Sequence, residues 1–404
     1  MPSSRTAEAP LLRLALADGR PATLLLREDS TVLSLDDSVV SSWDLAGRPY
    51  ALVRETGTHR RGLDGGLLWK REASADGPRL RRRLSAAEGE PVVEAARREA
   101  AGALAVLRSQ GEDSAVHRLA TIVAMNGAAL RADAARFLAA CGPVGILPPD
   151  QYLALVVRVT EGCSWNACTF CRLYRDVPFR ARRVDELETH VDALLAYFGR
   201  SLALRRSVFL GDANALCLSH DRLLPLVATV SARLPGRPIH SFVDAWTGGR
   251  KTATEWRAYA ELGLKRVSVG LETGDPALLA WLEKPGSPED AVALVDAIHE
   301  AGIAAGVIVL LGAGGERFAA AHAARTAEVL SRMRLGPDDL VYFSEYVDDP
   351  DLAYGRRAAA AADLQPLPPG RCREQMKEIR SAFRPADPAR PPRTATYDIR
   401  EFVY

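Results

Sequence analysis

Three of the six cysteines of this 404-residue chain stand within nine residues of one another. The stretch 159–175 reads VTEGCSWNACTFCRLYR, and its spacing is C-x4-C-x2-C through Cys163, Cys168 and Cys171. The other thiols, Cys141, Cys217 and Cys372, are scattered. The N-terminal apolar stretch is broken by Arg5, Glu8 and Arg13, so no signal peptide is read there. The cytoplasm is then the expected location, and a disulfide framework is not expected. In a reducing compartment, clustered thiols point to metal or redox chemistry. Three ligands are one short of a closed structural zinc site. They are also one short of the four cysteines that usually hold an iron–sulfur cluster. A 4Fe-4S cluster on three cysteines leaves one iron open to a substrate or cofactor. Cys217 or His220 as a fourth ligand, and a zinc knuckle, stand as alternatives.

The elements around the trio follow one rhythm. Apolar runs of strand length recur at 153–159, 207–211, 239–243, 266–272, 304–312 and 339–346. Between them lie amphipathic stretches at 184–198, 222–234, 253–263, 288–302 and 317–333. Continuous Val/Ile/Leu runs read as strands buried on both faces, and their alternation with helices implies a parallel sheet. The cysteines follow the first of these strands. In such folds the loops at the strand carboxyl ends build the active site.

With those residues in view, the stretch resembles the radical S-adenosylmethionine (SAM) superfamily. The usual motif of that superfamily is C-x3-C-x2-C after the first barrel strand. The form Cys-x-x-Asn-x-Cys-x-Phe-Cys, here with Asn166 and Phe170, is similar to a branch with one inserted residue. The resemblance covers 153–346, about half of the chain. It implies a 4Fe-4S cluster on Cys163, Cys168 and Cys171, S-adenosyl-L-methionine as cofactor, and an electron donor such as a flavodoxin or ferredoxin. It also implies cofactor contacts. Phe170 corresponds to the aromatic residue on the adenine side. Gly211 and Asp212, in FLGDANAL, correspond to the segment that receives the methionine amino group. Glu272, in GLETGD, corresponds to the ribose position, and Gly312, in GAGGE, loosely to an adenine contact. Two of these have a plainer reading: Asp212, with Asn214, as a turn or cap, and Glu272 as a capping carboxylate. The reaction that follows SAM cleavage is left open among hydrogen abstraction, rearrangement, methylation and carbon–carbon bond formation.

The expected fold class is α/β: a partial parallel (β/α)6 barrel at 151–346, a smaller α+β domain at 1–150 and a C-terminal extension at 347–404. The N-terminal part reads as short β-segments with turns at Ala46-Gly47 and Asp64-Gly65-Gly66, then helices at 85–110 and 130–140. In the tail, 371–383 reads as a helix and 386–393 as an extended linker. Lys plus Arg is 52 against 51 for Asp plus Glu, so no basic excess points to nucleic acid. No run of eighteen apolar residues predicts a membrane span. No signature of a cobalamin domain or second cluster is present.

Two arginine groups, Arg79 to Arg83 and Arg172, Arg175, Arg180, Arg182 and Arg183, read first as solvated faces. The second also suits charge compensation beside a negatively charged cluster. Tyr346, Glu345 and Asp244 fall at strand carboxyl ends. Trp246, Trp256 and Trp281 read as packing residues. The rival classes are a zinc- or cluster-stabilised binding protein and an electron-transfer iron–sulfur protein, neither catalytic.

Overall fold

The computed structural model describes residues 10–36, 38–72 and 79–404. Arg5 and Glu8 of the leader reading lie outside the described residues. The chain forms two compact units. The first takes the chain through Pro143 together with Asp192–Arg206 and Arg400–Tyr404. The second takes Val144–Val191 and Ser207–Ile399.

The first unit is built on an antiparallel meander of eight strands in sequence order. They are β1 (Leu11–Ala15), β2 (Pro21–Leu26), β3 (Ser30–Leu35), β4 (Val39–Asp44), β5 (Pro49–Arg54), β6 (Gly57–Arg61), β7 (Leu67–Arg71) and β8 (Leu80–Leu84). Alternation sets the buried face: in β2 the residues Ala22, Leu24 and Leu26 are buried and their neighbours are not. Leu24, Leu33, Trp43 and Leu52 form one core with helical Ala96, Ala100, Leu104, Leu107 and Leu119. The helix Ala86–Arg108 starts at a capping box in which Ser85 and Glu88 satisfy each other's backbone N–H groups. A helix over Asp113–Ala124, absent from the sequence reading, packs on the same core.

The second unit carries the α/β fold that the strand-helix rhythm predicts. β9 (Leu155–Arg158) runs into β10 (Thr160–Glu161), which pairs antiparallel with β11 (Arg180–Ala181). The main sheet continues with β12 (Val208–Gly211), β13 (Ile239–Val243), β14 (Leu264–Glu272), β15 (Ala304–Leu311), β16 (Leu340–Glu345) and β17 (Arg393–Thr396). All seven main strands are parallel, in the order β9-β12-β13-β14-β15-β16-β17. Each new strand is added beside the last without reversal. This singly wound order curls a sheet toward a barrel, and β9 and β17 remain its edges. Every residue of β9 and β12 is buried, as strands covered on both faces require.

The tail adds a strand at the end of the stretch read as a linker. After the helix Pro369–Ala382, the chain supplies β17 as a seventh strand, with Leu340 to Phe343 paired to Arg393 to Thr396. Pro391 and Pro392 stop just short of it, so no missing N–H falls inside the ladder.

Candidate functional site

The cysteines sit on a loop whose neck is the β10–β11 pair, Thr160 opposite Ala181. At that neck Gly162 has φ +73°, and a Cβ there would lie 2.6 Å from the Val177 carbonyl. Only glycine admits this approach. Asn166 also has a left-handed backbone, φ +51°. Its amide donates to the Tyr174 carbonyl at 2.8 Å, and its backbone N–H donates to Cys163 Sγ at 3.4 Å. Asparagine tolerates this conformation better than other side-chain-bearing residues. That accounts for Asn166 in the motif as a loop-shaping residue. Arg175 closes the loop from outside, donating to the carbonyls of Cys171 (3.0 Å) and Cys168 (2.5 Å). The Thr169 N–H donates to the Leu282 carbonyl at 2.9 Å and Trp165 Nε1 to the Glu283 carbonyl at 2.8 Å.

All three cysteines line one cavity of about 350 Å³ at the carboxyl ends of the parallel strands. Successive strands each contribute: Asn214 follows β12, Asp244 follows β13, Glu272 ends β14, Leu310 lies on β15 and Glu345 ends β16. The walls are largely apolar, with Phe170, Phe242, Ile308, Leu310 and Tyr346 among them. This size and lining suit a cofactor-sized ligand.

The thiols are unlinked. Burial pushes the Cys168 thiol up to about 12, and the Lys284 ammonium pulls it back. Burial raises Cys171 as well. Among the described residues no three His, Cys, Asp or Glu side chains are arranged to hold a metal ion directly. What the three thiols share is the cavity. Soft sulfur donors on one cavity fit an iron–sulfur core, whose positive iron would hold them as thiolates. Cys217 is not among the residues lining the cavity.

Phe170 and Glu272 line the cavity beside the cysteines; Gly211, Asp212 and Gly312 do not. Asp212, which the resemblance puts at the methionine amino group, is engaged by partners within the protein. Both oxygens accept from Arg158, Oδ1 from Nε at 3.0 Å and Oδ2 from Nη2 at 2.9 Å, and Oδ2 also accepts from the Gly162 N–H at 3.1 Å. Ala213 and Asn214, the next two residues, reach the cavity instead. Gly312 serves packing. A Cβ there would lie 2.7 Å from Cys372 Sγ, and its N–H donates to Gln375 Oε1 at 2.9 Å. It admits the close approach of the helix Pro369–Ala382.

Asp244, Glu345 and Tyr346 line the cavity, where their strand-end positions pointed. Of the second arginine group, Arg172 pairs with Asp349, Arg180 and Arg182 with Glu161, and Arg183 with Asp185. These charges are spent on carboxylates. Trp256 is fully buried, but Trp246 is half-exposed with Arg250 stacked 4.0 Å over its ring.

Sequence reasoning missed Lys284. Its Nζ lies 3.0 Å from Glu272 Oε1 inside the cavity, and the Glu272 charge raises the ammonium above its usual range against the pull of burial. The one available signal is rarity. Lys284 is one of five lysines in an arginine-rich chain, in a short loop soon after a strand-end glutamate.

Residues 157–321 match a family model described as Radical SAM superfamily. No curated protein sequence matches the chain. Among solved structures, the chain is similar to the radical S-adenosylmethionine methyltransferase TsrM from Kitasatospora setae, with cobalamin and 4Fe-4S cluster bound. That match has 14% identity and a TM-score of 0.44, covering 60% of this chain and 55% of the other. It is similar to methylornithine synthase, PylB, at 16% identity and a TM-score of 0.41, covering 62% and 67%. It is similar to the coproporphyrinogen III oxidase HemN from Escherichia coli, a radical SAM enzyme, at 19% identity and a TM-score of 0.42, covering 61% and 54%. The chain thus spans just over half the length of the first of these. Among the described residues no helix is long and apolar enough to cross a membrane. The matched segment begins on β9 and includes the cysteine loop and four further parallel strands, so residues 157–321 carry a Radical SAM superfamily domain.

Proposed function

We propose that the chain holds a 4Fe-4S cluster on Cys163, Cys168 and Cys171 and reductively cleaves S-adenosyl-L-methionine in the adjoining cavity, to start radical chemistry on a small-molecule or biosynthetic substrate. One observation carries the reading: three unlinked thiols from one loop rim a single strand-end cavity that no fourth cysteine lines. Cys163, Cys168 and Cys171 would hold three irons of such a cluster and leave the fourth for SAM to bind. When bound, the two cofactors supply a 5′-deoxyadenosyl radical, the species the superfamily resemblance implies.

The residues of this chain bind and enclose. Phe170 offers an aromatic wall and packs on the core cluster that includes Leu278, Leu282 and Leu310. Glu272, with Oε1 engaged by Lys284, has Oε2 left to accept from a ribose hydroxyl. The apolar walls exclude water from a reactive intermediate. The electron comes from a donor of the flavodoxin or ferredoxin class.

The test is anaerobic. The protein is loaded with iron and sulfide, given SAM and dithionite, and assayed for 5′-deoxyadenosine by mass spectrometry beside the Cys163/Cys168/Cys171→Ala triple variant. The expected result is about four irons and product from the unaltered chain, and neither from the variant. A loaded protein that neither binds nor cleaves SAM would return the chain to the binding or electron-transfer reading.

A further inference from the structure

Lys284 sits where a charge has electrostatic consequences for the cysteine site. Its side chain is 14% exposed and that of its partner Glu272 is 10% exposed. The pair lies directly over the backbone of β14: a Cβ on Gly270 would stand 2.7 Å from Glu272 Oε1 and 2.8 Å from Lys284 Nζ. The β14–β15 register shifts between Gly270 and Glu272, and Glu272 has φ +60°. Glu283, just before the lysine, has φ +53°. Left-handed backbone at a residue with a side chain is strained and persists where its surroundings impose it. Two such residues bracket this one ion pair.

The cysteine loop is fastened to the same stretch. Thr169 N–H and Trp165 Nε1 donate to the carbonyls of Leu282 and Glu283, the two residues before Lys284. The positions of Cys168 and Lys284 are therefore coupled. Lys284 and Glu272 line the same cavity as Cys168 and Cys171. A buried ion pair adds little net stability compared with apolar packing, so stability alone does not explain this one.

We propose that Lys284, held in place by Glu272, is an electrostatic positioning residue that sets the potential at which the cluster accepts an electron. The inference rests on the radical SAM reading above. Reduction brings one electron from the external donor, dithionite in the test, and leaves the cavity one unit more negative. A fixed cation beside the cysteines stabilises that reduced form, and a fixed anion opposes it. Net charge and the groups around the sulfurs are the levers that set such potentials.

The full chain, loaded with iron and sulfide and without SAM, would be titrated with dithionite and followed by electron paramagnetic resonance. Lys284→Met should move the midpoint to a more negative potential. Glu272→Gln should move it to a less negative one. Lys284→Arg, which keeps the charge, should stay near the unaltered protein. Unchanged midpoints in both charge-removing variants, or shifts of the same sign, would overturn the proposal. Should Lys284→Met lose its iron, Glu272→Gln decides alone: an upward shift supports the proposal and no shift overturns it. An unaltered chain that takes up no iron overturns both this inference and the function on which it rests.

Discussion

Asp212 and Glu272 are both carboxylates at strand ends, and the structure gives them different work. Asp212 is 6% exposed and spends both oxygens on Arg158, itself 8% exposed. Glu272 faces the cavity with Lys284. Removing one partner of a buried pair leaves the other charge uncompensated, at a cost of about 3–5 kcal/mol. Asp212→Asn should therefore lose stability of that order in denaturant unfolding, while the folded fraction still binds SAM. Full stability with abolished SAM binding would return Asp212 to the ammonium-binding role. The residue types at both positions were legible in the sequence. Which of the two faces the cavity was not, because Arg158 lies 54 positions from Asp212 and only the pairing of β9 with β12 brings them together.

At the scale of elements, the rhythm of apolar runs and amphipathic stretches located six parallel strands within a few residues. Strands covered on both faces must be apolar throughout, and that is a local signal. The seventh escaped, because β17 reads RTAT and none of its residues is buried. Its place comes from hydrogen bonds to β16 rather than from its own composition.

The start of β16 depends on one carboxylate. Asp339 Oδ1 accepts from the Ala305 N–H at 2.7 Å and faces His299 Nε2 at 3.1 Å, and Oδ2 accepts from the Gly336 N–H at 2.7 Å. Burial pushes this carboxyl up, but the His299 side chain and the two backbone donors outweigh it and hold it below the usual range. Asp339→Ala should cost about 1–3 kcal/mol for each buried donor it leaves open. A carboxylate with a lowered folded pKa stabilises fully above its unfolded pKa and loses that contribution as pH falls through the folded one. The stability gap between Asp339→Ala and the unaltered chain should therefore be widest near neutrality and narrow below about pH 4. A gap that is flat from pH 7 to pH 3 would remove the charge from the account.

Across the whole molecule, the first unit is discontinuous in sequence. Residues 192–206 belong to it: Tyr197 donates to Asp133 Oδ2 at 2.9 Å, Arg48 donates to Ser201 Oγ at 2.8 Å, and Phe198 and Leu204 are buried. A chain beginning at residue 144 would strip these residues of their partners and open apolar surface to water. It should aggregate or bind a hydrophobic dye with weakened near-ultraviolet circular dichroism, whereas the full chain does neither. A soluble, sharply melting product would show that the second unit folds alone. Residue spacing located the cysteine loop, the parallel α/β class and the strand-end candidates Asp244, Glu345 and Tyr346, and the family resemblance added Glu272. Those signals are short-range, carried by periodicity and by gaps of a few residues. Folding assigned the charges to their partners: Arg158 to Asp212, Lys284 to Glu272, and four of the five arginines near the cysteines to carboxylates. A charged side chain carries no local mark of its counterion, because the pair forms only when strand order and loop closure bring distant residues within about 3 Å.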